Sequence, residues 1–100
     1  MSLEDWRNEI DRIDLEIVNL LQRRISIVEE IGKVKAKTAL PLVDLEREKL
    51  IVNRVLNERR EPLSIAAVKC IFKCIIEESR RVQIDYLANI EQQKEISEQA

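Results

Sequence analysis

DWRNEIDRIDLEIVNLLQRRISIVEEIGKVKAK, residues 5–37, is the stretch that decides the fold. At 100° per residue, Leu3, Trp6, Ile10, Ile13, Ile17, Leu20, Leu21, Val28 and Ile31 share an arc of roughly 100°, the face that an amphipathic helix buries. The periodicity predicts one helix from about Asp5 to Lys37, with Gly32 tolerated inside it at about 1 kcal/mol. At 1.5 Å per residue such a helix is roughly 48 Å long, more than a globule of this size is wide. The rest of the chain is too short to cover that stripe. A homodimer with the long helices packed together is therefore expected, and the breadth of the arc argues against a strict coiled-coil seam.

Two cations, Arg24 and Lys35, lie on the same stripe. An unpartnered buried charge costs several kcal/mol, so both need anionic groups, from the protein or from a ligand. They are three turns apart, about 16.5 Å along the axis and only about 20° around it. Two long side chains so placed can grip a small molecule from both ends.

Composition bounds the rest. One hundred residues that are 45% apolar and 36% charged, with one Gly and two Pro, describe a single all-α domain spanning residues 1–100. The net charge of −2 has its signs interspersed, which offers no basic face for nucleic acid. No run approaches the roughly 18 apolar residues of a membrane span, and no signal peptide is evident, so a cytoplasmic protein is expected. The chain has no histidine, which excludes His-dependent catalysis and the commonest metal ligand. Cys70 and Cys74, four apart on a helix, do not suffice for a tetrahedral metal site and are expected as small buried hydrophobes.

Pro41 breaks the first helix. Asp44 then reads as an N-cap, and a second helix is expected over about 44–59 with Ile51, Val52 and Val55 on its apolar side. Glu61-Pro62-Leu63 makes the next break and Ser64 the next cap. A third helix is expected to about Ile90 through Val68, Ile71, Phe72, Ile75, Val82 and Tyr86, followed by a fraying polar tail, 91–100.

Polar residues recur on the inward faces of these helices too. Asp44 and Glu48 share the apolar side of helix two with Arg47 at its edge, while Ser79 and Gln83 interrupt the stripe of helix three. Their joint occurrence suggests one polar cavity in an apolar bundle. Arg7, at the edge of the first stripe, is roughly 25 Å from Arg24 along the helix and reaches such a site only from a second, antiparallel copy. Taken singly, each residue has a structural role open to it. Arg24 suits an ion pair in a dimer seam, Lys35 a solvated helix end, Asp44 a cap, Ser79 and Gln83 interhelical hydrogen bonds, and Arg7 a plain surface charge.

Five segments occur in order: Arg7-x-x-Ile10-x-x-Ile13-Asp14, Leu20-Leu21-x-x-Arg24, Gly32-Lys33-x-Lys35, Pro41-x-x-Asp44-x-x-Arg47-Glu48, and Ile75-Ile76-Glu77-x-Ser79-x-x-x-Gln83. With them the chain resembles the all-helical chorismate mutases of the shikimate pathway over nearly its full length. The resemblance implies three helices per chain in an intertwined dimer with two sites, each completed by Arg7 of the partner subunit. It implies the Claisen rearrangement of chorismate to prephenate, toward phenylalanine and tyrosine, with no metal or organic cofactor. Arg24 and the partner's Arg7 would then pair with substrate carboxylates and Arg47 add to the positive field, with Lys35 and Gln83 facing the ether oxygen, Glu48 with the Asp44 region the ring hydroxyl, and Ser79 the ring carboxylate. Two rivals remain open: an isochorismate pyruvate lyase of the same fold, and a non-catalytic helical dimer acting as an interaction or regulatory module.

Overall fold

A computed structural model describes residues 1–99 and resolves them into three helices, α1 (Leu3–Thr38), α2 (Leu45–Glu58) and α3 (Ile65–Gln99). Helix α1 starts two residues earlier than the apolar periodicity indicated, because Ser2 caps it. The Ser2 hydroxyl accepts from the Asp5 amide at 3.2 Å, and the Asp5 carboxylate accepts from the Ser2 amide at 2.9 Å. This reciprocal box satisfies two of the amides that a helix start leaves unpaired. At the other end Ala39 turns into the left-handed region, φ 54°, and the Leu40 amide donates to the Lys35 carbonyl at 3.1 Å. Pro41 follows and prevents the helix from resuming.

The two later caps fall where the sequence puts them. Asp44 accepts from the Arg47 amide at 3.0 Å to open α2, and the Ser64 hydroxyl accepts from the Ala67 amide at 3.0 Å to open α3. Between them Arg59 donates to the Leu63 carbonyl at 3.1 Å and pairs with Glu61, bracing the short link. The expected polar tail from residue 91 is corrected: α3 continues to Gln99, and only Ala100 lies outside the described residues. Glu, Gln and Lys dominate that segment and neither Gly nor Pro interrupts it, so intrinsic propensity carries the helix beyond its last apolar contact.

Helix α3 packs against both other helices and forms the middle of an elongated molecule, 65 × 30 × 16 Å. Its core is small. Val28 and Gly32 from α1 and Val68, Ile76 and Gln83 from α3 are buried, each large apolar side chain among them contributing about 1.5–3 kcal/mol. The N-terminal half of the α1 stripe is left uncovered: Trp6, Ile10 and Leu20 remain more than half exposed, and Ile13 and Ile17 nearly so. A contiguous apolar face of this kind marks an interaction surface. No helix among the described residues is long and apolar enough to cross a membrane.

The cysteines differ from expectation. Both are exposed, because they lie about 200–240° around α3 from Val68, away from the stripe of Val68, Phe72, Ile76 and Gln83 that faces α1 and α2.

Candidate active site

Where the C-terminal half of α1, the start of α2 and the middle of α3 converge, they enclose a cavity of about 290 Å³. Arg24 and Lys35 reach it from α1, Arg47 and Glu48 from α2 with Asp44 at its cap, and Ser79, Arg80 and Gln83 from α3. Its walls are aliphatic, from Val28, Ile31, Leu42, Ile51 and Ile76. Convergent polar groups in an apolar frame are the ordinary anatomy of a small-molecule site. A larger concavity, about 710 Å³, lies between α2 and α3 on the far side of Glu48 and Arg80. Lys49, Asn53, Lys69, Lys73 and Glu77 line it around an aliphatic floor, but it includes neither Arg24 nor Lys35, so the smaller cavity is the better candidate for chemistry.

The two cations on the α1 stripe are held by neutral acceptors. Arg24 Nη1 donates to Ser79 Oγ, which itself donates to the Ile75 carbonyl at 3.0 Å. Burial, and after it the nearby Arg47, lowers the pKa of the Arg24 guanidinium from its ordinary value. Both causes disfavour the cation, and both are relieved by an incoming anion. Arg24 remains charged at any physiological pH.

Lys35 Nζ donates to the Leu42 carbonyl at 2.8 Å and to Gln83 Oε1 at 3.1 Å. The left-handed turn at Ala39 doubles the chain back so that Leu42 meets the lysine seven residues before it. Because the ammonium takes the amide oxygen of Gln83, the amide nitrogen is left as the donor. Gln83 is buried, and its approach to α1 depends on Gly32: a Cβ built there would stand 3.3 Å from Gln83 Cγ. The glycine that the periodicity treats as merely tolerated is a point of close helix approach.

On α2 the Asp44 carboxylate is the N-cap and also lines the cavity, so the structural and functional readings coincide in one residue. Glu48 is already paired. Arg80 donates through Nε to Glu48 Oε2 at 2.8 Å and through Nη2 to Oε1, a bidentate fork between α3 and α2. Among the described residues, the ion pairs involve neither Arg24, Lys35 nor Arg47.

Seven of the eight residues singled out from the sequence thus meet around one cavity: Arg24, Lys35, Asp44, Arg47, Glu48, Ser79 and Gln83. Arg7 does not. It is exposed near the start of α1, remote from the cavity of its own chain. Arg80, the Leu42 carbonyl and Gly32 were not found by sequence reasoning. A signal for Arg80 existed, since an inward-facing Glu48 requires a cation and Arg80 follows Ser79 at the edge of the α3 stripe.

Residues 6–84 match the family model described as chorismate mutase type II. The chain is 32% identical over 88 residues to a protein named chorismate mutase from Methanocaldococcus jannaschii, covering 86% of this chain and 88% of that one. It is 42% identical over 60 residues to a bifunctional chorismate mutase/prephenate dehydratase from Aquifex aeolicus, covering 60% of this chain and 17% of that protein. The chain spans only about a fifth of the length of the bifunctional relatives and T-protein it matches. Among solved structures, a conserved hypothetical protein from Pyrococcus furiosus aligns with a TM-score of 0.67 at 37% identity, over 81% of this chain and 93% of that one.

Proposed function

The chain belongs to the chorismate mutase type II family, and from that premise we propose that it converts chorismate to prephenate, in the cytoplasm, as a step toward phenylalanine and tyrosine. One observation carries the proposal: Arg24 and Lys35, two cations on an otherwise apolar helical face, rest on a hydroxyl, a carbonyl and an amide oxygen, and neither forms an ion pair among the described residues. Within one chain the cavity presents Arg24, Lys35, Arg47 and Arg80 against Asp44 and Glu48, an excess of two positive charges that a dicarboxylate neutralises.

The rearrangement breaks an ether C–O bond and forms a C–C bond within one molecule. It needs no nucleophile. The protein's part is to hold the substrate compact and to stabilise negative charge at the ether oxygen as the bond opens. Lys35 and the amide nitrogen of Gln83 are the donors for that oxygen, the amide held in place by the hydrogen bond that its oxygen accepts from Lys35. Arg24 binds a substrate carboxylate as a planar fork with Ser79 beside it, Arg47 adds to the field, and Glu48 with Asp44 receives the ring hydroxyl.

The second carboxylate falls to Arg7 of the partner subunit in an intertwined homodimer. Support comes from the exposed α1 stripe around Trp6, Ile10 and Ile13, which a second copy would cover, and from the distance between Arg7 and Arg24, roughly 25 Å on one helix. Incubating the purified protein separately with chorismate and isochorismate, with products resolved by chromatography, tests the assignment. Prephenate from chorismate is expected. Salicylate and pyruvate from isochorismate without efficient prephenate formation would assign a lyase, and no turnover of either acid would leave a non-catalytic dimer.

A further inference from the structure

Six of the seven ion pairs among the described residues are local. Arg12–Glu9, Lys33–Glu30, Lys49–Glu46, Arg81–Glu78 and Arg81–Asp85 lie within single helical turns, and Arg59–Glu61 lies within a link. Arg80–Glu48 alone joins two helices. It is the least exposed overall, with the Glu48 side chain 20% and the Arg80 side chain 37% accessible, and both residues line the candidate active site.

We propose that Arg80 is a positioning residue for Glu48: its bidentate fork fixes the carboxylate as an acceptor in the cavity and cancels the repulsion that this carboxylate would exert on a dianionic substrate. The inference rests on the mutase reading above. A guanidinium fork that engages both carboxylate oxygens fixes the plane and rotation of the group, which a lysine at the same position does not. Each oxygen keeps lone-pair capacity for a substrate hydroxyl after accepting one N–H from Arg80. The pair also spans the wall between the site and the larger α2–α3 concavity, since both residues line both. Arg80 thus acts on the substrate through Glu48, whose two oxygens it holds from α3.

A double-mutant cycle in chorismate turnover tests this, using the full chain as wild type, Arg80→Met, Glu48→Gln and the double variant, with thermal midpoints measured in parallel. Arg80→Met is expected to lower kcat/KM about tenfold or more, whereas the same change in the Glu48→Gln background alters it less than about twofold. Arg80→Lys, which preserves the charge and loses the fork, is expected to keep KM near wild type while kcat falls, and it serves as the readout if Arg80→Met does not fold. Additive losses across the cycle would mean that Arg80 acts independently of Glu48 and would overturn the assignment. So would wild-type kcat and KM with only a lowered thermal midpoint, the signature of a structural staple. Absence of prephenate from the wild-type chain would instead remove the mutase reading and this inference with it.

Discussion

A Cβ placed on Gly32 would stand 3.3 Å from Cγ of Gln83, so the side chain that holds Lys35 at 3.1 Å is seated against bare backbone of the opposite helix. Alanine at this position would gain about 1 kcal/mol of helix propensity and push Gln83 away by a few tenths of an ångström. Gly32→Ala is therefore expected to leave the thermal midpoint nearly unchanged while turnover falls by about tenfold, because donor placement matters more to the transition state than to folding. Thermal denaturation and prephenate formation on the same preparation provide the check. Unchanged turnover would show that the close approach is incidental.

Lys35→Ala removes the donor proposed for the ether oxygen and leaves the Leu42 carbonyl to water. A loss of about 10²–10³ in kcat is expected, the magnitude of removing one transition-state donor, with a smaller change in KM. Gln83→Ala should lose activity in the same sense, and the two losses together should be less than additive because the residues share a hydrogen bond. Circular dichroism should show both variants still helical.

Mixing an Arg7→Ala chain with an Arg24→Ala chain tests the shared site. With random exchange, half of the dimers are mixed and each contains one intact site, so about a quarter of wild-type activity should return from two inactive parents. Failure to recover activity while native mass spectrometry, with one chain isotope-labelled, confirms exchange would overturn the shared site.

Acid should loosen the start of α1 before the rest of the molecule. The hydrogen bond from the Ser2 amide, and after it the Ser2 side chain, hold the Asp5 carboxyl below its ordinary pKa. A depressed folded pKa contributes stability that is complete above the unfolded value, about 3.9, and is lost as pH falls through the folded value. Amide exchange in the first turn should accelerate across that window in the wild type, and Asp5→Asn should flatten the dependence.

Much of this protein is legible in residue order. The 3.6-residue period gave three helices, the positions of Pro41, Asp44 and Ser64 gave their breaks and caps, and polar residues on inward faces gave seven of the cavity's side chains. The errors also have physical causes. A tail with no apolar periodicity continues as helix because propensity alone suffices there, and Cys70 and Cys74 are exposed because their angular position on α3, and not their residue type, sets burial.

The sequence by itself determined which face of each helix is apolar and which charges interrupt it, since side-chain direction along a helix is a local, periodic property. Tertiary structure decided the partners: Lys35 on the Leu42 carbonyl, Arg80 on Glu48, and Gln83 against Gly32. Those contacts depend on how far one helix slides and rotates against another. That register is fixed by packing across the whole interface, which no single stretch of the chain encodes.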